Sequence, residues 1–152
     1  MSATVKRSHA HHGAAFVEIL QNCPIYNDGI FDQVKDKKIA ADFRVEVEHG
    51  KPLLFGKDKE KAIVLNRESL NLEVVAAAGN EDKILLHDEH NRVLAQLLAA
   101  MGGEGFPIAV GVLFSDSKST FTEDTSAHLE SVRKTGAALE DLLHSGRTWT
   151  VE

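Results

Sequence analysis

The sequence predicts an α/β protein, the helix and strand of a parallel sheet followed by a β-rich segment with helices of its own, and three observations carry that reading. The run Ala14–Leu20 (AAFVEIL) is apolar except for Glu18, the near-continuous pattern of a strand buried on both faces. From Phe43 the spacing changes to period two, with Arg44-Val45-Glu46-Val47-Glu48 alternating outward and inward. Helical spacing returns at Glu89–Met101, where Val93, Leu94, Leu97, Leu98 and Met101 share one stripe.

Size and charge narrow the class. A chain of 152 residues fits one domain with an appended subdomain and can bury a core. Hydrophobic residues at 43% and charged residues at 26% are ordinary globular proportions, which excludes a disordered chain. The net charge of -6 is spread along the chain, which argues against nucleic acid or an anionic membrane as the main partner. One cysteine forms no internal disulfide, and no stretch of roughly 18 apolar residues is present to span a bilayer. The opening MSATVKRSHAHHG is basic without the apolar stretch of a signal peptide, so a cytoplasmic protein is expected.

Taken in order, Ser2–His12 reads as a short amphipathic helix with Val5 inward, stopped by Gly13, with three histidines in its last turn. A helix feeding a buried strand is half of a β-α-β unit. The core strand Ala14–Leu20 comes next, and the chain leaves it through Gln21-Asn22-Cys23-Pro24 and Asn27-Asp28-Gly29. In open α/β sheets the carboxyl end of a strand is where ligands bind. Ile30–Ala41 is polar with scattered apolar residues, a surface connection holding at most a helical turn, and the stretch from Lys35 to Asp42 is the best candidate boundary.

Beyond it, His49-Gly50 can turn, and Lys51–Phe55 is a second apolar run. Strands are expected at Ala62–Leu65 and at Leu70–Val75, where Leu70, Leu72 and Val74 share a face. Gly102-Gly103 ends the Glu89–Met101 helix, and Ile108–Phe114 is a short strand after Pro107. Thr120-Phe121-Thr122-Glu123 has the form of a capping box. The helix it opens is expected to run to about His144, with Leu129, Val132, Leu139, Leu142 and Leu143 on one side and Gly136 as its weak point, followed by a loosely held tail.

Each chemically suggestive residue has a plain reading beside it. A lone cysteine is most often a small buried hydrophobe; in its favour as a ligand, Cys23 sits on a polar turn before a proline that fixes the backbone. A thiolate cluster needs about four ligands, and this chain supplies one. His9, His11 and His12 do not fall on one helix face and read as solvated helix-end residues. His87-Asp88-Glu89-His90 precedes a helix, where acidic side chains suit the macrodipole, so capping explains them. Asp116-Ser117 reads as an internal turn, and Lys57–Lys61 (KDKEK) as a solvated loop. Glu18, on a buried strand, is expected to need a hydrogen-bonding partner. No phosphate-binding GxxxxGK, GxSxG, HExxH or CxxC motif is present.

The segment His11-His12-Gly13-Ala14-Ala15-Phe16-Val17-Glu18-Ile19-Leu20-Gln21-Asn22-Cys23-Pro24-Ile25-Tyr26-Asn27-Asp28-Gly29 resembles the beta subunit of the 2-oxoacid:ferredoxin oxidoreductases, particularly the 2-oxoglutarate type. Arg44–Gly56, His87-Asp88-Glu89, Phe106-Pro107 and Gly111-Val112 continue the similarity, which covers roughly residues 9 to 126. The resemblance implies the C-terminal part of a thiamine-diphosphate-binding fold, a parallel sheet with helices, followed by a small β-rich C-terminal subdomain with helices. The corresponding divisions are 1–34 for the end of the cofactor-binding domain, 35–126 for the C-terminal domain, and 127–152 for a final helix and tail.

It further implies an enzyme that binds thiamine diphosphate with Mg2+, carries a 4Fe-4S cluster, decarboxylates a 2-oxoacid, transfers the acyl unit to coenzyme A and passes electrons to ferredoxin. In that family the cysteine of the Gln-Asn-Cys-Pro turn is the fourth cluster ligand, and Cys23 matches it; no catalytic or cofactor-binding residue is implied for this chain. The family's thiamine diphosphate motif and its other cysteines fall upstream of Met1, so the chain reads as a C-terminal portion, inactive alone, that works with an alpha subunit. The alternatives are a non-catalytic module docking on an alpha subunit or ferredoxin, and a thiol enzyme pairing Cys23 with a histidine.

Overall fold

The computed structural model describes residues 2–133, 138–147 and 149, and the chain divides into two compact units. The larger runs to His11 and from Ala15 to Ser117; the smaller joins His12–Ala14 to the residues from Lys118 onward.

In the larger unit, helix α1 spans Ser2–Ala10, and two single-turn helices, α2 (Asp32–Lys35) and α3 (Ala40–Phe43), occupy the polar connection. Strand β1 (Arg44–Val47) follows with the alternation its sequence dictates: Val45 and Val47 are buried, Arg44 and Glu46 exposed. Its partner is distant. β1 pairs in parallel with β5 (Ile108–Gly111), in the register Arg44 to Ile108 through Val47 to Gly111. Between them the chain makes an antiparallel sheet of β2 (Leu54–Phe55), β3 (Lys61–Leu65) and β4 (Leu72–Ala76), then helix α4 (Arg92–Ala100). A parallel pair needs such a long crossover, and a helix is its usual content.

One cluster of apolar side chains ties both sheets to α4: Val45, Val47, Leu53, Phe55, Ile63, Leu72, Leu94 and Leu98. Each such side chain removed from water contributes about 1.5–3 kcal/mol, an upper bound for an extended unfolded reference. Asn91 caps α4, its side-chain oxygen accepting from the Leu94 N–H at 3.1 Å. Gly111 closes the parallel pair with φ +138, and a side chain there would run into the Val47 carbonyl.

In the smaller unit, α5 (Phe121–Val132) starts with the expected capping box. Glu123 N–H donates to the Thr120 hydroxyl at 3.2 Å and Thr120 N–H donates to the Glu123 carboxylate at 2.8 Å. Helix α6 (Leu139–Leu143) follows.

Several elements differ from the sequence reading. Ala14–Leu20 forms no strand and is mostly exposed, with Phe16 at 92% and Ile19 at 60%. A buried parallel strand needs neighbours on both edges, and among the described residues none pairs with it. Glu18 is accordingly exposed and needs no buried partner. The long helix expected from Thr120 to His144 stops at Val132, where Arg133 takes an extended backbone; Gly136 lies outside the described residues. The expected strand start at Leu70 fails because that residue has φ +56 in a turn, leaving β4 to begin at Leu72. α4 begins at Arg92, not Glu89, and Val93 faces outward while Ala95 is buried in its stead.

Candidate functional site

Two places on the larger unit bring chemistry-bearing side chains together. The first is the Cys23 turn. Asn27 N–H donates to the Cys23 carbonyl at 2.9 Å and the two residues form an isolated bridge, with Pro24 restricting the backbone between them. Asn22 ties the turn down from outside: its side-chain oxygen accepts from Phe31 N–H at 3.1 Å and its amide donates to Asp32 at 3.1 Å. Gly29 makes the turn possible with φ +79.

The thiol of Cys23 is free and exposed. Backbone amides of Tyr26, Ile25 and Asn27 point hydrogen-bond donors at the sulfur and hold its pKa below the ordinary thiol range. The thiolate is the form that ligates metals, so an exposed sulfur facing donors on a tied-down turn fits one ligand position of a thiolate-held cluster. Within this chain Cys23 is exposed, where the plain reading expects a buried small hydrophobe.

The second place is built by the segment that runs antiparallel beside Gly50–Leu53. Gly50 N–H donates to the His87 carbonyl at 2.8 Å, His87 N–H to Lys51 at 2.9 Å, and Leu53 N–H to Leu85 at 2.9 Å. This ladder sets His49 opposite Glu89. His87 itself is 1% exposed; its Nε2 lies 2.8 Å from the Val112 carbonyl, while its Nδ1 has no hydrogen-bond partner among the described residues. One more pair of bonds closes the segment: Ser115 N–H donates to the Glu89 carbonyl at 2.7 Å, and Nδ1 of His90 reaches the Ser115 carbonyl at 2.7 Å.

Glu89 is not a helix cap. Its carboxylate, 11% exposed, accepts from both terminal nitrogens of Arg7 at 2.9 and 2.8 Å. The side-chain hydrogen bonds from Arg7 hold the Glu89 pKa below the ordinary carboxylate range, against the burial that raises it, and the Arg7 pKa rises in turn. Capping falls to Asn91, and Asp88 contributes by accepting from His90 N–H at 2.9 Å. His49, Glu89 and His90 thus each offer a ligand atom, all within 4.8 Å of one another. Sequence reasoning grouped His87 to His90 correctly and missed His49 and Arg7, which lie 40 and 82 residues from Glu89 and carry no local signal.

Of the remaining candidates, His12 pairs with Glu123 at 3.0 Å. Lys61, expected in a solvated loop, opens β3 and reaches Asp42 at 2.7 Å. No described helix is long and apolar enough to cross a membrane.

The chain is a mixed α/β fold with a single thiol on a Gln-Asn-Cys-Pro turn, and comparison with curated proteins finds it similar along its whole length to a 2-oxoglutarate oxidoreductase subunit. That relative is the 2-oxoglutarate oxidoreductase subunit KorB of Mycobacterium tuberculosis (strain ATCC 25618 / H37Rv), 32% identical over an alignment of 160 positions that covers 100% of this chain and 42% of KorB. The chain therefore spans less than half the length of that relative. No family model matches the sequence, and no solved structure matches it.

Proposed function

We propose that this chain is part of the beta subunit of a 2-oxoacid:ferredoxin oxidoreductase of the 2-oxoglutarate type, to which it contributes Cys23 as the fourth ligand of a 4Fe-4S cluster. The complete enzyme carries out oxidative decarboxylation of the 2-oxoacid to an acyl-CoA, with electrons delivered to ferredoxin, in the cytoplasm. The observation that supports this reading is the 32% identity along the whole chain, combined with an exposed Cys23 whose sulfur faces backbone donors.

Thiamine diphosphate with Mg2+ would supply the carbanion chemistry and the cluster the one-electron steps. The residues of this chain do simpler work. Asn22 and the Cys23–Asn27 bridge fix the sulfur, the amides of Ile25, Tyr26 and Asn27 stabilise its anionic form, and residues 35–126 supply a folded platform. With one cysteine, the chain by itself holds no cluster and is inactive.

Co-expression with an alpha subunit and a polypeptide carrying the remainder of the relative's length tests this. A brown complex that reduces dye in the presence of 2-oxoglutarate, and loses its visible absorbance with Cys23→Ser, is the expected result. An active complex indifferent to Cys23→Ser would overturn the ligand role, and a colourless, inactive one the enzyme assignment. The second reading, a non-catalytic module docking on an alpha subunit or ferredoxin, is favoured by the exposed Phe16, Ile19, Ile25 and Tyr26; tight binding within that inactive complex would support it.

A further inference from the structure

We propose that His49, Glu89 and His90 form a binding site for one divalent transition-metal ion of the zinc type, with water completing its coordination. The site is separate in sequence and chemistry from Cys23. Two imidazoles and a carboxylate are the donor set that such ions take when three protein ligands leave a fourth position open.

Three observations beyond the composition of the cluster point to a ligand. The two histidine rings lie with centroids 5.4 Å apart at 62°, so they do not stack, and one nitrogen of each falls with one Glu89 carboxylate oxygen inside the same 4.8 Å. The Nδ1 of His90 is committed to the Ser115 carbonyl at 2.7 Å, which fixes the proton there and leaves Nε2 bare. A backbone carbonyl on the far nitrogen is the usual support of a metal-ligating histidine. The carboxylate is likewise oriented from behind, by Arg7 at 2.9 and 2.8 Å. Each carboxylate oxygen has a second lone pair, so Glu89 can keep Arg7 and still bind an ion.

Charge and mobility are compatible with binding. Asp88, 3.6 Å from Nδ1 of His49, joins Glu89 in outweighing Arg7 by one negative charge. Ligand atoms around a tetrahedral ion sit about 3.3 Å apart for bonds of 2.0–2.1 Å. The gap from 4.8 Å is closed by rotation of the His49 side chain, 52% exposed, which gives up the 3.3 Å hydrogen bond that its Nδ1 accepts from the Glu89 N–H, while Glu89 and His90 are held. The ion would join the turn after β1, the approach to α4 and, through Arg7, α1.

Titration of the chain with ZnCl2 by calorimetry, and with Co2+ by visible absorption, tests the site. One ion per chain is expected. His90→Gln and His49→Gln should each weaken binding beyond the roughly 10- to 100-fold that loss of a merely supporting partner costs. Both residues are exposed at the surface, so unchanged metal-free melting of the variants verifies the fold. Cys23→Ser, His9→Gln and His11→Gln should leave binding as it is, and the Co2+ spectrum should lack a thiolate band. Binding indifferent to His49→Gln and His90→Gln, or lost with Cys23→Ser, would overturn the proposal, and neither outcome bears on the cluster role of Cys23.

Discussion

Arg7→Gln isolates a polar contact that spans 82 residues of the chain within the larger unit. The Arg7 guanidinium is 53% exposed and the Glu89 carboxylate 11%, so the pair lies between the exposed and buried limits. Exposed pairs contribute about 0.2–1 kcal/mol and hydrogen bonds to charged groups about 1.5–3, which places the loss at about 1–2 kcal/mol once solvent screening of Arg7 is allowed for. For a chain of this size that is a fall in melting temperature of about 3–8 °C near neutral pH. The sign of its pH dependence follows from Glu89. Its folded pKa lies below the ordinary value of 4.5, so the stabilisation is present in full above that value and is lost as pH falls through the folded pKa. Thermal melts followed by circular dichroism should show the wild type and Arg7→Gln well separated at pH 7 and converging toward pH 3. Equal separation at both pH values, or none at pH 7, would refute the argument that the ion pair holds α1 in place.

Two further perturbations test the fold and the thiol. Gly111→Ala should destabilise the larger unit by more than the roughly 0.5 kcal/mol of ordinary surface changes, because φ +138 is strained for alanine and its methyl meets the Val47 carbonyl; chemical denaturation with an unchanged midpoint would count against the β1–β5 register. Cys23 should react with a disulfide reagent at lower pH than the cysteine of a free QNCPIYNDG peptide, since the Tyr26, Ile25 and Asn27 amides favour the thiolate; coincident pH–rate profiles would show that the turn does not hold those donors.

What could be read in the sequence was local. The Thr120 capping box, the stop at Gly102-Gly103 and the Val45/Val47 alternation each depend on residues within a few positions of one another, and each is present. What could not be read were pairings across the chain. Nothing in Arg44–Val47 announces Ile108–Gly111 as its partner in preference to the nearer Lys51–Phe55, which pairs instead with β3 through Leu54 and Phe55. The same holds at the metal-ligating cluster: His87 to His90 stands out in one dimension, but its acidic member is explained by Arg7 and its third donor is His49. The buried face of α4 is a finer difference: Ala95, not Val93, lies against the core beside Leu94 and Leu98.

Ala14–Leu20 shows how a strand-like pattern can fail to yield a strand. Period and composition describe what a segment would do given neighbours; a parallel strand without them has unpaired donors and acceptors along both edges, and its side chains stay in water. Phe16, Ile19, Ile25 and Tyr26 together leave an apolar surface on either side of the Cys23 turn, costly in water and stabilised when covered. Because the turn carries its own restraints through Asn22, Asp32 and the Cys23–Asn27 bridge, it keeps its shape while the strand is unpaired. Covering the strand by neighbouring strands would therefore add order to Ala14–Leu20 without remaking the thiol site.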